Sequence, residues 1–279
     1  MQYFDFKQFR IYHDRCAMKV GTDGVLLGAW AEIRPGQRVL DIGCGTGLIS
    51  LMAAQRGAEH CTGIEIDAIA AEQAAENAQA SRFSERIDIR HENILAHQPT
   101  TLYDNIISNP PFYLETTHSP DDRRATARHA SGLTYEALIV SAARLLLPGG
   151  LFQVIIPASA ANGFHALCAM NALSLCHRTD VFTKASLAAK RVLLCFRKDP
   201  LIQGNVSLVS RESTPGHALD TNSCMPSPVA CHADSHESRE HLARWIHPVL
   251  RDTLILLDGN GQKTVAYTQL TSDFYKDKG

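Results

Sequence analysis

The chain has 279 residues, of which 45% are hydrophobic and 20% charged, and its formal net charge is −2. Such a chain can bury a sizeable core, and its near-neutral balance argues against a wholly basic nucleic-acid binder. No segment approaches the ~18 consecutive apolar residues of a membrane span, and residues 1–7 lack the apolar core of a signal peptide. The eight cysteines form no C-x-x-C pair, so we expect reduced thiols and a cytoplasmic protein without membrane association.

Short apolar segments alternate with helical segments along the first two thirds of the chain. Helices are predicted from Leu48, after the capping residues Asp67 and Thr134, and around 160–173. Strands are predicted at 39–42, 61–66, 87–91, 105–109, 151–157, 174–181 and 191–197. This alternation favours an open, parallel α/β sheet with helices on both of its faces.

Composition divides the chain into regions of one predicted domain, 1–279. Residues 1–34 precede the alternating pattern and are expected to cover one end of the sheet, whose core spans 35–212. Residues 213–241 are rich in Ser, Pro and His, which predicts a disordered insert within the domain. Apolar character returns in 242–279, where we expect a last strand and helix that complete the domain.

A glycine-rich segment, Asp41-Ile42-Gly43-Cys44-Gly45-Thr46-Gly47, ends the first predicted strand of the core. Glycines allow the backbone to turn tightly and to approach a ligand closely. A dinucleotide-binding loop would carry Gly or Ala at position 48, where this chain has Leu. Asp41 would also repel a pyrophosphate, whereas an acid suits a ligand that carries an ammonium and a sulfonium. The segment therefore indicates S-adenosylmethionine, with Asp41, Gly43, Gly45 and Gly47 as cofactor-binding residues.

The next two strands are each followed by a further candidate for cofactor binding. Glu65 ends the second strand, 24 positions after Asp41, where a carboxylate can accept hydrogen bonds from both ribose hydroxyls. Asn93 follows the third strand, where an acid often contacts the adenine amino group, and its side-chain oxygen can accept the same hydrogen bond. Ile94 is assigned to the same site, and Glu92 is the alternative to Asn93.

The segment Asn109-Pro110-Pro111-Phe112 directly follows a predicted buried strand. Its two prolines fix φ at about −65° and remove two backbone donors, so the chain leaves the sheet rigidly. An exocyclic amine could donate hydrogen bonds to the Asn109 side-chain oxygen and the Pro110 carbonyl, which would direct the nitrogen lone pair at a sulfonium methyl. Phe112 would stack on the base. We therefore predict these four residues to be catalytic, with Asn109 also beside the cofactor.

Segments spread along the chain resemble a known family. Residues 6–9 (FKQF), 13–24 (HDRCAMKVGTDG) and 26–30 (LLGAW) are similar to the N-terminal signature of bacterial tRNA1(Val) adenine-N6-methyltransferases, and so are 41–47, 107–112, 178–181, 191–194 and the C-terminal tail. The resemblance implies a class I Rossmann-like methyltransferase with a mostly parallel, seven-stranded sheet. It also implies N6-methylation of the adenine at position 37 in the tRNA anticodon loop. Phe112 stands where the family more commonly has Tyr, and the insert at 213–241 is not part of the family pattern.

Two groups of basic residues are predicted to contact the RNA. Arg123, Arg124 and Arg128 follow the Asn-Pro-Pro-Phe segment, within reach of phosphates beside the target base. Lys184, Lys190 and Arg191 belong to a stretch, 184–211, that holds six basic residues and one acid. Lys19 and Asp23 lie in an unusual Lys-Val-Gly-Thr-Asp-Gly turn before a helix, and we assign both to the cofactor or to a lid over it.

Three readings remain open from these residues. The leading reading is a tRNA adenine methyltransferase that needs no obligate protein partner. The same Asn-Pro-Pro-aromatic segment would also serve the glutamine amide of a protein or guanine N2 of ribosomal RNA. A noncatalytic RNA-binding module is the third reading, and the intact Glu65 and Asn109 argue against it. No metal is predicted, because the cysteines and histidines of the insert lack the spacing of zinc ligands.

Overall fold

The computed structural model of this chain describes residues 2–16, 19–111, 133–200 and 249–276. These residues belong to one compact unit, which spans 1–200 and 249–279. The second unit, 201–248, lies outside the described residues, and so does the insert expected at 213–241. The single-domain organisation and the disorder of the insert therefore stay predictions.

A two-stranded hairpin precedes an eight-stranded sheet. The hairpin consists of β1 (Tyr3–Asp5) and β2 (Arg10–Tyr12). The sheet consists of β3 (Arg38–Ile42), β4 (His60–Glu65), β5 (Ile87–His91), β6 (Tyr103–Ser108), β7 (Leu146–Pro157), β8 (Leu173–Lys184), β9 (Arg191–Lys198) and β10 (Leu250–Leu257). Its order is β10-β8-β9-β7-β6-β3-β4-β5, and only the two pairs that involve β9 are antiparallel. The predicted mostly parallel α/β sheet is confirmed. It has eight strands where the resemblance implied seven, and the edge strand β10, beside β8, is the last strand expected in 242–279.

Six α-helices connect or flank the described strands. They are α1 (Thr22–Trp30), α2 (Leu48–Gln55), α3 (Ala68–Gln79), α4 (Tyr135–Leu145), α5 (Ala161–Met170) and α6 (Val265–Thr271). Asp67 caps α3 by accepting a hydrogen bond from the Ala70 amide at 2.8 Å, and Thr134 caps α4 through the Ala137 amide at 3.1 Å. Both capping residues are as predicted. Within the described residues, no helix is long and apolar enough to cross a membrane.

Two hydrophobic clusters cover the two faces of the sheet. Successive strand residues alternate between them, so that Val39 and Ile107 belong to one cluster, whereas Leu40 and Ile106 belong to the other. The first cluster includes residues of α1 and α2, and the second includes residues of α4 and α5. Because both faces are buried, the strands read as continuous apolar runs and not as an alternating pattern.

The N-terminal segment packs against helices and against the C-terminal tail. Phe6 stacks on Phe9 with ring centroids 4.8 Å apart and on Tyr275 at 6.0 Å. Helix α1 packs closely on α2, since a Cβ added at Gly28 would lie 2.5 Å from the Met52 sulfur. We expected this segment to cover one end of the sheet. Its helix covers one face, and the amino end of the helix reaches the edge where the parallel strands end.

The chain reverses its direction of travel across the sheet at β3. From β3 it proceeds to β4 and β5 on one side, and it then returns to β6 on the other side of β3. Ile42 pairs with Ser108, and the Ser108 hydroxyl donates a hydrogen bond to the Ile42 carbonyl at 2.9 Å. Gly43 and Asn109 therefore leave the sheet side by side. In open α/β sheets such a switch point, at the carboxyl ends of the strands, is where ligands bind.

Candidate active site

The glycine loop after β3 adopts a conformation that favours glycine. Gly43, Gly45 and Gly47 have φ values of 71°, 53° and 78°, in the left-handed region. The Gly43 amide donates a hydrogen bond to the Ile64 carbonyl at 2.8 Å, which anchors the loop to the end of β4. A Cβ added at Gly43 or Gly45 would meet no atom within 4 Å, so both residues face open space. The loop is thus shaped to let a ligand approach its backbone.

Two cavities adjoin this loop. The larger cavity has a volume of about 530 Å³, and its walls include Lys19, Thr22, Asp23, Cys44, Thr46 and Arg191. The smaller cavity has a volume of about 180 Å³, and its walls include Ile42, Ile64, Glu65, Ile66, Asn93 and Ile94. Gly43, Gly45 and Asn109 line both cavities. These three residues therefore form the boundary at which a ligand in one cavity would meet a ligand in the other.

Asp41 lies beneath the glycine loop and not in the wall of either cavity. Its side chain is 1% exposed, and its Oδ2 accepts hydrogen bonds from the Ser50 amide at 3.0 Å and the Ser50 hydroxyl at 2.8 Å. Its Oδ1 is buried and has no hydrogen-bond partner among the described residues. Burial raises the pKa of the Asp41 carboxyl to about 7, because the charged form loses its hydration. The carboxyl thus fixes the start of α2 to the end of β3.

Glu65 joins the end of β4 to the glycine loop. Its Oε2 accepts a hydrogen bond from the Gly45 amide at 2.9 Å, and its Oε1 accepts from the Ile66 and Asp67 amides at 2.9 and 3.0 Å. Three backbone donors therefore hold the carboxylate in one orientation, in the wall of the smaller cavity. An ionised carboxylate has about four lone-pair sites, so acceptor capacity remains for a ligand hydroxyl.

The segment after β5 forms the far wall of the smaller cavity. Asn93, Ile94 and Glu92 all line it. The Asn93 Oδ1 accepts a hydrogen bond from the Leu95 amide at 3.0 Å, and Glu92 Oε2 lies 3.0 Å from Nδ1 of the buried His97. Both side chains keep further acceptor capacity. The geometry therefore does not choose between Asn93 and Glu92 as the acceptor for an adenine amino group.

Asn109 presents a buried acceptor that has no partner in the described part of the chain. Its Oδ1 is inaccessible to solvent and accepts no hydrogen bond. A Cβ added at Gly24, near the start of α1, would lie 3.9 Å from the Asn109 Nδ2, so α1 confines the amide on one side. Buried side-chain oxygens are nearly always hydrogen-bonded, and an exception at a cavity wall indicates a missing donor. Pro110 is buried and Pro111 lines the smaller cavity, whereas Phe112 lies outside the described residues.

The residues expected to bind RNA are only partly described. Arg123, Arg124 and Arg128 lie outside the described residues. Lys184 ends β8 and lines neither of the two cavities, and Lys190 is exposed next to Arg191.

Arg191 lines the larger cavity together with Lys19, which is exposed. The Arg191 Nε donates a hydrogen bond to Asp23 Oδ2 at 2.9 Å. No sequence pattern predicted the contact between Arg191 and Asp23, since 168 positions separate them. Thr22 and Thr46 also line the larger cavity; both lie in segments that the sequence singled out, but neither was assigned a role of its own.

In the described ranges no metal centre is found, and the thiol of the glycine loop is not prepared to act as a nucleophile. Within them, no group of three or more His, Cys, Asp or Glu side chains could hold a metal ion. Cys44, in the glycine loop, is fully buried beside two carboxyl groups, and burial raises the pKa of its thiol well above the ordinary value. Its thiol is therefore neutral and a poor nucleophile.

The chain is similar to known methyltransferases. The family model described as "Methyltransferase small domain" matches residues 20–172. A tRNA1(Val) (adenine(37)-N6)-methyltransferase of Phocaeicola vulgatus is 49% identical over 70% of this chain and 83% of its own length. The protein of the same name from Dickeya chrysanthemi is 46% identical over 75% of this chain and 85% of its own length.

Solved structures support the fold alone. The crystal structure of a predicted O-methyltransferase from Agrobacterium tumefaciens has a TM-score of 0.58 at 17% identity, and the match covers 92% of this chain and 100% of that one.

The family model covers more than half of this chain, and the relatives are similar over more than two thirds of it. The chain therefore belongs to the methyltransferase small domain family and, within it, to the family of the tRNA1(Val) (adenine(37)-N6)-methyltransferases.

Proposed function

We propose that this chain methylates N6 of the adenine at position 37 in the anticodon loop of tRNA1(Val), with S-adenosylmethionine as the methyl donor. The observation that carries the proposal is the buried, unpartnered Asn109 Oδ1 at the boundary between the two cavities. An amine that donates a hydrogen bond to this oxygen would satisfy it. The names of the relatives supply the identity of the RNA.

The smaller cavity fits the adenosine part of the donor. Ile64 and Ile94 provide apolar walls for a planar ring, and Glu65 lies at the cavity edge with its carboxylate held by backbone amides. Glu65 would accept hydrogen bonds from the ribose hydroxyls, and either Asn93 or Glu92 would accept one from the adenine amino group. The open space above Gly43 and Gly45 admits the part of the donor that crosses into the larger cavity.

The charged end of the donor would lie in the larger cavity. Lys19 is placed there to attract a carboxylate. Asp41 lies beneath the glycine loop and outside the cavity wall, and the positive charge of a bound donor would favour the ionised form of its carboxyl. The bound donor supplies an electrophilic methyl group next to Asn109.

The protein's own contribution to transfer is positioning. The Asn109 Oδ1 and the Pro110 carbonyl accept hydrogen bonds from the target amine, which fixes its nitrogen at the cavity boundary. Because Pro110 and Pro111 have restricted φ, the acceptors are held in place before the substrate arrives. Phe112 is proposed to stack on the base. No side chain is required as a strong base, since the amine loses its proton readily once it is alkylated.

The basic residues are proposed to hold the flanking RNA. Lys190 and Arg191 lie at the same edge of the sheet as Asn109, because Arg191 pairs with Pro157 at the carboxyl end of β7. Their charge would attract phosphates on either side of the target base. Lys184, Arg123, Arg124 and Arg128 are proposed to extend this surface.

The proposal is tested with pure protein, a tritiated donor, and transcribed tRNA1(Val) in two versions. One version carries the natural adenine and the other a guanine at the target position. Label in the first and not in the second is the expected result. In a parallel incubation, label in a release-factor protein but not in tRNA would instead identify a glutamine methyltransferase, and label in neither would overturn the proposal.

Asn109→Ala is the variant that tests the site. It should lower the rate of transfer by about 100-fold or more, because the positioned acceptor is lost. Donor binding, measured by calorimetry, should change little. Asn171→Ala is the matched control, since the Asn171 amide donates only to the Leu167 carbonyl of α5, away from both cavities. Full transfer by Asn109→Ala would contradict the role of the amide.

A further inference from the structure

A third depression lies beside the larger cavity, and we name it the flanking groove. It has a volume of about 370 Å³ and is formed where β8, β9 and β10 meet the starts of α1 and α6. Its apolar part includes Val181, Leu257 and Tyr267, and its cationic part consists of Lys190, Arg191 and Lys263. The volume falls within the range of about 300–1,000 Å³ that is usual for small-molecule sites.

The flanking groove adjoins the larger cavity. Thr22, Asp23 and Arg191 line both of them. The hydrogen bond from Arg191 to Asp23 therefore forms the wall between the two spaces. Asn109 also lines the larger cavity, so a polymer with one unit at Asn109 could pass through that cavity and over this wall to place a neighbouring unit in the groove.

The electrostatics of the flanking groove favour an anion. Asp23 is the one acid among its described lining residues, and it is already paired with Arg191. Within the described residues, Lys190 and Lys263 form no ion pair. The Lys263 Nζ lies 4.4 Å from the ring centroid of Tyr275 and 5.1 Å from that of Tyr267, so cation–π contacts hold its ammonium near the groove.

We propose that the flanking groove binds a nucleotide that neighbours the target adenine in the same RNA strand. Its base would pack on the apolar part, and a phosphate would contact Lys190 and Lys263. This combination of apolar surface and cations is how proteins hold unpaired nucleotides, whose bases are free to leave the stack. The inference rests on the proposed function and adds to it a second position at which the RNA is read.

Charge-removing variants provide the first test. We expect Lys263→Gln and Lys190→Gln each to raise the Kd for a fluorescent anticodon stem-loop RNA by about five-fold at 0.1 M salt, since one phosphate contact to a single strand contributes about 0.7 to the salt slope. Lys263→Arg should restore binding. Arg82→Gln is the matched control, because Arg82 is an exposed cation that precedes β5, at the opposite edge of the sheet. Melting temperatures establish that each variant is folded.

The second test asks whether the groove contacts a single neighbouring base. An abasic nucleotide is placed on one side or the other of the target adenine, and the Kd is measured with the wild type and with Leu257→Ala. If the base lies on Leu257, the effect of the variant disappears for one of the two abasic RNAs. Equal effects of Leu257→Ala on all RNAs would overturn the assignment.

The outcomes separate this inference from the proposed function. If the wild type methylates tRNA and the lysine variants bind RNA as tightly as the wild type does, nucleotide binding in the flanking groove is refuted and the proposed function stands. If the wild type binds RNA without methylating it, and Lys263→Gln weakens binding, the groove stands and the proposed function falls. A wild type that neither binds nor methylates tRNA would overturn both.

Discussion

Replacement of Asp41 by Asn is expected to stabilise the protein increasingly as the pH rises from 5 to 8. The Asp41 carboxyl is 1% exposed, and burial raises its pKa from the ordinary value of 3.8 to about 7. In the folded protein it therefore stays protonated up to nearly neutral pH. In the unfolded chain the same carboxyl ionises above about pH 4.

The magnitude follows from this difference in pKa. Between about pH 4 and pH 7 the folded state binds more protons than the unfolded state, so the free energy of unfolding falls as the pH rises through this window. Each pH unit corresponds to about 1.4 kcal/mol, so the full window corresponds to about 4 kcal/mol. The part of this fall in unfolding free energy that lies above pH 5 is about 3 kcal/mol. The amide introduced by Asp41→Asn does not titrate, so the difference in unfolding free energy between this variant and the wild type should grow by that amount.

Urea denaturation of the ligand-free protein at several pH values between 5 and 8, at constant ionic strength, measures this difference. The matched control is Asp88→Asn, which removes an exposed carboxylate together with its surface ion pair to Arg90 and so reports the effect of losing a charge that is not buried. A difference between Asp41→Asn and the wild type that stays constant with pH would refute the reasoning. It would mean that the buried carboxyl is ionised in the fold despite its missing partner.

Three further substitutions test the packing around the site. Gly45→Ala should lower the free energy of unfolding by about 1 kcal/mol, because the residue has a φ of 53°. Calorimetry should also show weaker donor binding, because the added methyl group enters open cavity space. Unchanged donor affinity would argue against the loop as the binding site. Gly63→Ala should destabilise the fold by about 1–3 kcal/mol in urea denaturation, since the new Cβ would lie 2.6 Å from Cδ1 of Ile89, and the double variant with Ile89→Val should recover part of the loss. Asn77→Ala removes the side-chain amide that accepts a hydrogen bond from the Tyr12 amide and donates one to the Tyr12 carbonyl. The variant should lower the free energy of unfolding by about 1–3 kcal/mol and speed hydrogen exchange in β2. Unaltered exchange in β2 would contradict the contact.

Local sequence patterns were sufficient to predict the elements that carry the site. The three glycines after β3 and the two prolines after β6 each constrain the backbone through their own chemistry, so their positions could be read without tertiary information. Strand ends were less well predicted. We expected the strand that became β7 to begin at 151, whereas it begins at Leu146, because Leu146 pairs with Tyr103 across a register shift that only the neighbouring strand determines.

Contacts between distant segments could not be predicted from local patterns. The Arg191–Asp23 pair and the stacking of Phe6 on Tyr275 join residues far apart in the chain, and neither pair has a local signature. The assignment of Asp41 to the cofactor also considered only its charge. Its burial, and the raised pKa that follows, depend on α2 covering the end of β3.

The two orphan oxygens at the switch point connect the fold to the chemistry. Asp41 Oδ1 and Asn109 Oδ1 are both buried without partners, near the carboxyl ends of the adjacent strands β3 and β6. Each unsatisfied acceptor costs about 1–3 kcal/mol in the free protein. Because the Ser108–Ile42 hydrogen bond fixes the two strands in register, neither strand end can shift to relieve that cost by itself. An amine that donates to Asn109 Oδ1 would remove one of these penalties, and a positive charge close to the glycine loop would favour the ionised form of the Asp41 carboxyl. The fixed register of β3 and β6 would therefore favour an arrangement in which an amine and a cation are present together.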